Sequence, residues 1–168
     1  MEYKLVAFGK NDEALAAFQD GRCDVYTTDQ SGLYSLRLKL PNPEENVVLP
    51  EIISKEPLGP VVRQGDDPWF NVVKWTYFAL VNAEELGITS KNVEEMKTSK
   101  NPEVLRLLGV QNADGSAAGF GTGIGLDEAW AANILKATGN YGEIFERNVG
   151  GASPLKICLL YTSPSPRD

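Results

Sequence analysis

The chain opens on residues 3–8 (YKLVAF), an alternating run of the kind that marks a strand. The period then changes. Asn11 or Asp12 offers a helix N-cap, Leu15 and Phe18 mark an apolar face, and Gly21 closes a short helix. Residues 23–28 read as a second strand, short and β-branched, running into Asp29. Strand, helix and strand in this order predict a β-α-β unit with a parallel, right-handed crossover. Residues 31–40 predict another helix, stopped by Pro41 and Pro43. Further short strands are expected at 47–49 and 61–62, set among Pro50, Pro57 and Pro60, a proline density that suits a stiff connector between lobes. The longest element runs from an N-cap at Asp67, with Pro68 at its first turn, to Gly87. Val73, Tyr77 and Leu80, with Trp69, Phe70 and Phe78, predict a helix buried over most of its circumference. Shorter helices are expected from Asn101-Pro102 to Gly109, from Asp127 or Glu128 to Gly139, and over 140–148. The class is α/β, with parallel sheets flanked by helices.

Composition narrows the chemistry. The 168 residues carry 16 Lys+Arg against 23 Asp+Glu, a formal net charge of −7, with no basic run to meet nucleic acid or anionic lipid. The most apolar window, 72–81, is broken by Lys74 and is far shorter than the roughly 20 residues that span a bilayer. The absence of histidine rules out a Ser-His-Asp triad, a Cys-His pair and any histidine-ligated metal. Neither end reads as a natural terminus. Residues 158–168 (CLLYTSPSPRD) match the translation of a sequencing-library adapter and are set aside, which leaves Cys23 as an odd cysteine.

The glycine run Gly119, Gly121, Gly123, Gly125 fits neither phosphate-loop spacing and follows no strand, so it reads as a flexible loop. The pairs Glu44/Glu45, Glu84/Glu85 and Glu94/Glu95 read as solvated faces, and Asp66/Asp67 as a cap rather than a dyad. Asp29 stands at the C-terminal end of a predicted parallel strand, where open α/β sheets place their ligand crevice. Spacing leaves two readings open: a ligand-facing carboxylate, or the N-cap of the helix that follows.

Residues 21–33 (GRCDVYTTDQSGL), 48–60 (VLPEIISKEPLGP), 63–67 (RQGDD) with Trp69 and Phe70, and 139–148 (GNYGEIFERN) resemble the general L-amino-acid ABC-transporter substrate-binding proteins. The resemblance covers residues 1–157. It implies part of a two-lobed periplasmic clamp of the type II binding-protein fold, with its N-terminal part missing. Residues 1–55 would belong to lobe two and 56–157 to the returning segment of lobe one. The family pattern puts the ligand's α-ammonium on Asp29 and a side-chain-reading position at Thr28. The groups that grip the α-carboxylate fall outside the chain, and Arg22, Arg37 and Arg63 do not match them by motif. Glu56, Pro57, Leu58 and Gly59 match a hinge crossing. Cys23 would pair with a cysteine outside the chain, as the oxidising periplasm permits. The implied partners are an L-amino acid and a membrane permease, with no cofactor, no metal and no catalysis. The alternative is an enzyme on the same scaffold, such as a periplasmic dehydratase, which without histidine would rely on a carboxylate or lysine.

Overall fold

A computed structural model of the chain describes residues 2–54, 58–112, 114–116 and 119–157. Glu56 and Pro57 of the expected hinge, and the whole of 158–168, lie outside the described residues. The chain divides into two compact units, 55–148 and 1–54 with 149–168.

The first unit holds α1 (Asn11–Gln19) and α2 (Gln30–Arg37). Lys10 rather than Asn11 occupies the N-cap position of α1 and no side chain caps it, so Asn11 begins the helix. Its C-terminus is closed by N–H groups of Gly21 and Arg22 on the carbonyls of Phe18 and Ala17. Leu15 and Ala17 are buried, and the Phe18 and Tyr26 rings meet at 6.3 Å.

The second unit holds α3 (Asp67–Glu85), α4 (Val93–Met96), α5 (Pro102–Leu107), α6 (Trp130–Thr138) and α7 (Tyr141–Asn148). The N-cap of α3 is Asp66, not Asp67: its carboxylate accepts from the Trp69 N–H at 3.1 Å, which leaves Asp67 and Pro68 to open the helix. At the other end, Gly87 at φ +69 turns the chain. The Gly87 and Ile88 N–H groups bond to the carbonyls of Glu84 and Ala83, and Ile88 then drops into the core. α3 packs against α5, α6 and α7 around Ala83, Ile88, Val93, Val104, Leu108, Ala132 and Leu135. A smaller cluster of Ala79, Trp130 and Ala131 adjoins Ile124 and Leu126.

Two expectations change. None of the segments 3–8, 23–28, 47–49 and 61–62 forms a strand among the described residues. A strand exists only as part of a ladder, and these segments carry the local pattern without a paired neighbour. The predicted burial of α3 is also incomplete. Ala79 and Ala83 are buried, but Trp69, Phe70, Trp75, Tyr77 and Phe78 are 40–54% exposed, because α5, α6 and α7 cover one side only.

Candidate functional site

Asp29 occupies the N-cap position of α2, with extended backbone (φ −52, ψ 138), and its carbonyl accepts from the Leu33 N–H at 2.8 Å. Its carboxylate does not close the cap. Among the described residues that carboxylate makes no hydrogen bond or ion pair, and the residue is exposed. Asp29 thus starts the helix through its backbone, and its side chain makes no cap bond. Thr28, half-buried, precedes it. Gly32 lies one turn on, where a Cβ would come to 3.4 Å from the Thr28 methyl and 3.8 Å from the Asp29 Cβ. Thr28, Asp29 and Gly32 therefore share one side of the helix start, and glycine keeps it open. A carboxylate held there, with an open helix N-terminus behind it, can accept charge-assisted hydrogen bonds from an ammonium group.

Arg37 is committed elsewhere. Its Nε donates to the Pro43 carbonyl at 2.8 Å and its guanidinium pairs with Glu44 at 3.4 Å. An open cleft of about 370 Å³ in the same unit is lined by Phe18, Cys23, Leu40, Pro41 and Glu45 among others, and neither Thr28 nor Asp29 lines it. Cys23 is half-buried and its thiol is free among the described residues. Of the hinge positions, Leu58 and Gly59 are described and both are exposed. Among the described residues no group of three or more His, Cys, Asp or Glu could hold a metal ion, and no helix is long and apolar enough to cross a membrane.

The second unit contains polar structure that spacing does not reveal. Asn140 and Glu143 form a capping box on α7: the Glu143 N–H donates to Asn140 Oδ1 at 3.0 Å, and Glu143 Oε2 accepts from the Asn140 N–H at 2.9 Å. The same carboxylate also reaches Ser90, accepting from its N–H at 3.0 Å and its hydroxyl at 2.6 Å. Asn140 Nδ2 donates to the buried Ile88 carbonyl at 2.8 Å. Partial burial raises the Glu143 pKa. The Ser90 hydroxyl, the Asn140 and Ser90 N–H groups and the charge of Lys91 outweigh it and hold the carboxyl below its usual range.

Within the glycine run, Gly119 and Gly121 lie close against residues 127–128, while Gly123 and Gly125 have open space around them. A Cβ on Gly121 would strike the Asp127 carbonyl, and one on Gly109 the Glu128 carbonyl. The Glu128 carboxylate accepts from the Thr122 N–H at 2.9 Å and hydroxyl at 2.8 Å. Those Thr122 donors lower the Glu128 pKa. Gly119, Gly121 and Thr122 of this loop thus lie against residues 127–128.

No family profile matches the chain. Individual proteins do. It is 61% identical over 157 residues to the general L-amino acid-binding periplasmic protein AapJ of Rhizobium johnstonii, an alignment covering 94% of this chain and 45% of that one. It is 49% identical to the glutamate/glutamine/aspartate/asparagine-binding protein BztA of Rhodobacter capsulatus, over the same 94% and 45%. A solved structure, a periplasmic binding protein of an ABC transporter from Brucella ovis with glutathione bound, superposes with a TM-score of 0.83 at 59% identity, over 94% of this chain and 48% of that one. The chain is a homologue of the periplasmic binding proteins of amino-acid ABC transporters. It spans about half the length of the curated relatives it matches. These relatives are named as binding proteins, and none supports the dehydratase alternative.

Proposed function

We propose that the chain is part of a periplasmic protein that captures amino acids and delivers them to an ABC-transporter permease by closing two lobes over the ligand. The observation that carries this reading is the Asp29 carboxylate, exposed and uncommitted at the start of α2. An α-ammonium brought against it in a closing cleft would gain a charge-assisted bond that strengthens as water leaves. Thr28 beside it would contact the ligand's side chain, and the open position at Gly32 leaves room for varied ones. The names of the relatives support an α-amino-acid headgroup as the shared ligand chemistry. Glutathione, bound by the Brucella relative, carries the same headgroup at its γ-glutamyl end.

In this reading residues 1–55 belong to lobe two and 56–157 to lobe one, and residues 56–59 (Glu56, Pro57, Leu58 and Gly59) form a hinge crossing. The segments at 3–8 and 23–28 become strands of a parallel sheet once their neighbours are present, and Cys23 meets its cysteine partner in the same lobe. The α-carboxylate grip comes from outside the chain, so half a clamp binds poorly. Calorimetry of this chain with L-glutamate is expected to show weak binding or none. Micromolar binding to the chain alone would overturn the two-lobe reading.

A further inference from the structure

The sequence contains two Asp-Gly pairs, Asp20-Gly21 and Asp114-Gly115. Their backbones are alike. All four residues are exposed, and both glycines have positive φ, +70 at Gly21 and +80 at Gly115, with open space where a Cβ would stand. The Gly21 N–H donates to the Phe18 carbonyl at 3.1 Å, and the Gly115 N–H to the Asn112 carbonyl at 2.9 Å. The aspartate side chains differ. Asp114 Oδ1 accepts from the Ser116 N–H at 2.9 Å and from its hydroxyl at 2.7 Å, and that hydroxyl accepts in turn from Asn112 Nδ2 at 2.9 Å. The Asn112 N–H closes the clasp by donating to the Ser116 carbonyl at 3.1 Å. Asp20 follows the last turn of α1, and among the described residues its carboxylate makes no hydrogen bond or ion pair.

We propose that Asp20-Gly21 is a site of spontaneous isoaspartate formation in the folded chain, and that the Ser116 clasp withholds Asp114-Gly115 from the same reaction. In this reaction the glycine nitrogen attacks the aspartate Cγ. An N–Cγ bond forms, the Cγ–OH bond breaks, and the nitrogen's proton and the hydroxyl leave as water. Water then opens the cyclic succinimide at either carbonyl, which regenerates aspartate or leaves isoaspartate, whose main chain runs through Cγ. No redox partner is needed. A following glycine favours the step because no Cβ obstructs the nitrogen. The carboxyl must be neutral to lose its hydroxyl, so donors that stabilise the carboxylate oppose it. The Ser116 hydroxyl, and then its N–H, hold the Asp114 carboxyl below its usual range. The same two bonds tie Oδ1 to a residue on the far side of Gly115, whereas no such donor engages Asp20. The consequence falls on α1. An extra main-chain methylene at residue 20 displaces the Gly21 and Arg22 N–H groups that close this helix on Phe18 and Ala17.

The proposal involves neither a ligand nor Asp29, so its failure leaves the ammonium reading standing. The chain is held for weeks in neutral buffer at constant temperature. Isoaspartate is then quantified in the tryptic peptides 11–22 and 107–136 by mass spectrometry with electron-based fragmentation. It is expected to accumulate several-fold faster at Asp20 than at Asp114. Ser116→Ala should raise the Asp114 rate several-fold and leave the Asp20 rate unchanged, whereas Ser116→Thr, which keeps both donors, should hold the Asp114 rate low. In concentrated urea the two rates should converge, because the clasp is a property of the fold. Equal rates in the folded chain, faster reaction at Asp114, a Ser116→Ala rate like the parent's, or a difference that persists undiminished in urea would each overturn the proposal.

Discussion

Removing the Glu143 carboxylate should destabilise the second unit markedly, because one half-buried side chain joins two segments far apart in sequence. Glu143→Ala deletes the capping-box bond to the Asn140 N–H and both bonds to Ser90, 53 residues away in sequence. The cap contributes about 1 kcal/mol. Bonds to a charged acceptor contribute about 1.5–3 kcal/mol each when buried, and partial exposure here reduces that. The total is on the order of 2–4 kcal/mol, a large share of the roughly 5–15 kcal/mol that stabilises a typical domain. Urea unfolding at pH 7, followed by circular dichroism and by emission of the buried Trp130, measures it. Ser90→Ala supplies the other arm of a double-mutant cycle, in which coupling to Glu143 should exceed the additive expectation. The pH dependence has a definite sign. Because the folded carboxyl titrates below its usual range, its stabilisation is fully present above the unfolded value of about 4.3 and fades as pH falls through the folded one. Glu143→Gln should lose that acid-side slope. A Glu143→Ala midpoint within about 0.5 kcal/mol of the parent would refute the account of this clasp.

Other outcomes follow from the same geometry. Gly109→Ala must take φ +67 and meet the Glu128 carbonyl, so it should cost about 2–5 kcal/mol in urea unfolding, whereas Gly87→Ala, at φ +69 with open space around it, should cost about 1–2 kcal/mol. Asp66→Ala removes the α3 cap and should lower stability by about 1 kcal/mol in the same assay. The Glu94 carboxylate receives hydrogen bonds from Lys97 at 2.8 Å and Lys136 at 2.9 Å, and these hold its pKa down to about 2. Carbon-detected NMR titration should show that low midpoint in the parent and a rise toward the ordinary range in Lys97→Ala with Lys136→Ala.

What was legible in the sequence was local. Asp66-Asp67-Pro68 and Gly87, Asn101-Pro102 and Gly109, and Asn140 each announce a helix end through groups a few residues apart, and helices lie close to where they predict. Strands depend on neighbours at unknown distance in sequence, so the β-branched text at 23–28 could not say what would pair with it. Apolar content along α3 was visible, but how far each side chain would be covered depends on α5, α6 and α7, and the large aromatics proved to be partly exposed. The reach of Glu143 to Ser90 spans 53 residues and carries no motif. The glycine run read as a flexible loop, and the close approach of residues 127–128 to Gly119 and Gly121 depends on chain that the spacing does not reveal. At Asp29 the residue type and its place before a helix were readable, whereas its freedom from any cap bond was not.

The ammonium claim is tested most directly by pairing a side-chain change with a ligand change in the uninterrupted protein. Binding of L-glutamate and of its deaminated analogue glutarate is measured calorimetrically for the parent and for Asp29→Asn. Stranding the ammonium should cost about 2–5 kcal/mol for glutamate and nothing comparable for glutarate, so the parent's preference for the amine should collapse in the variant. A variant that still prefers glutamate over glutarate by the parent's margin would contradict the account.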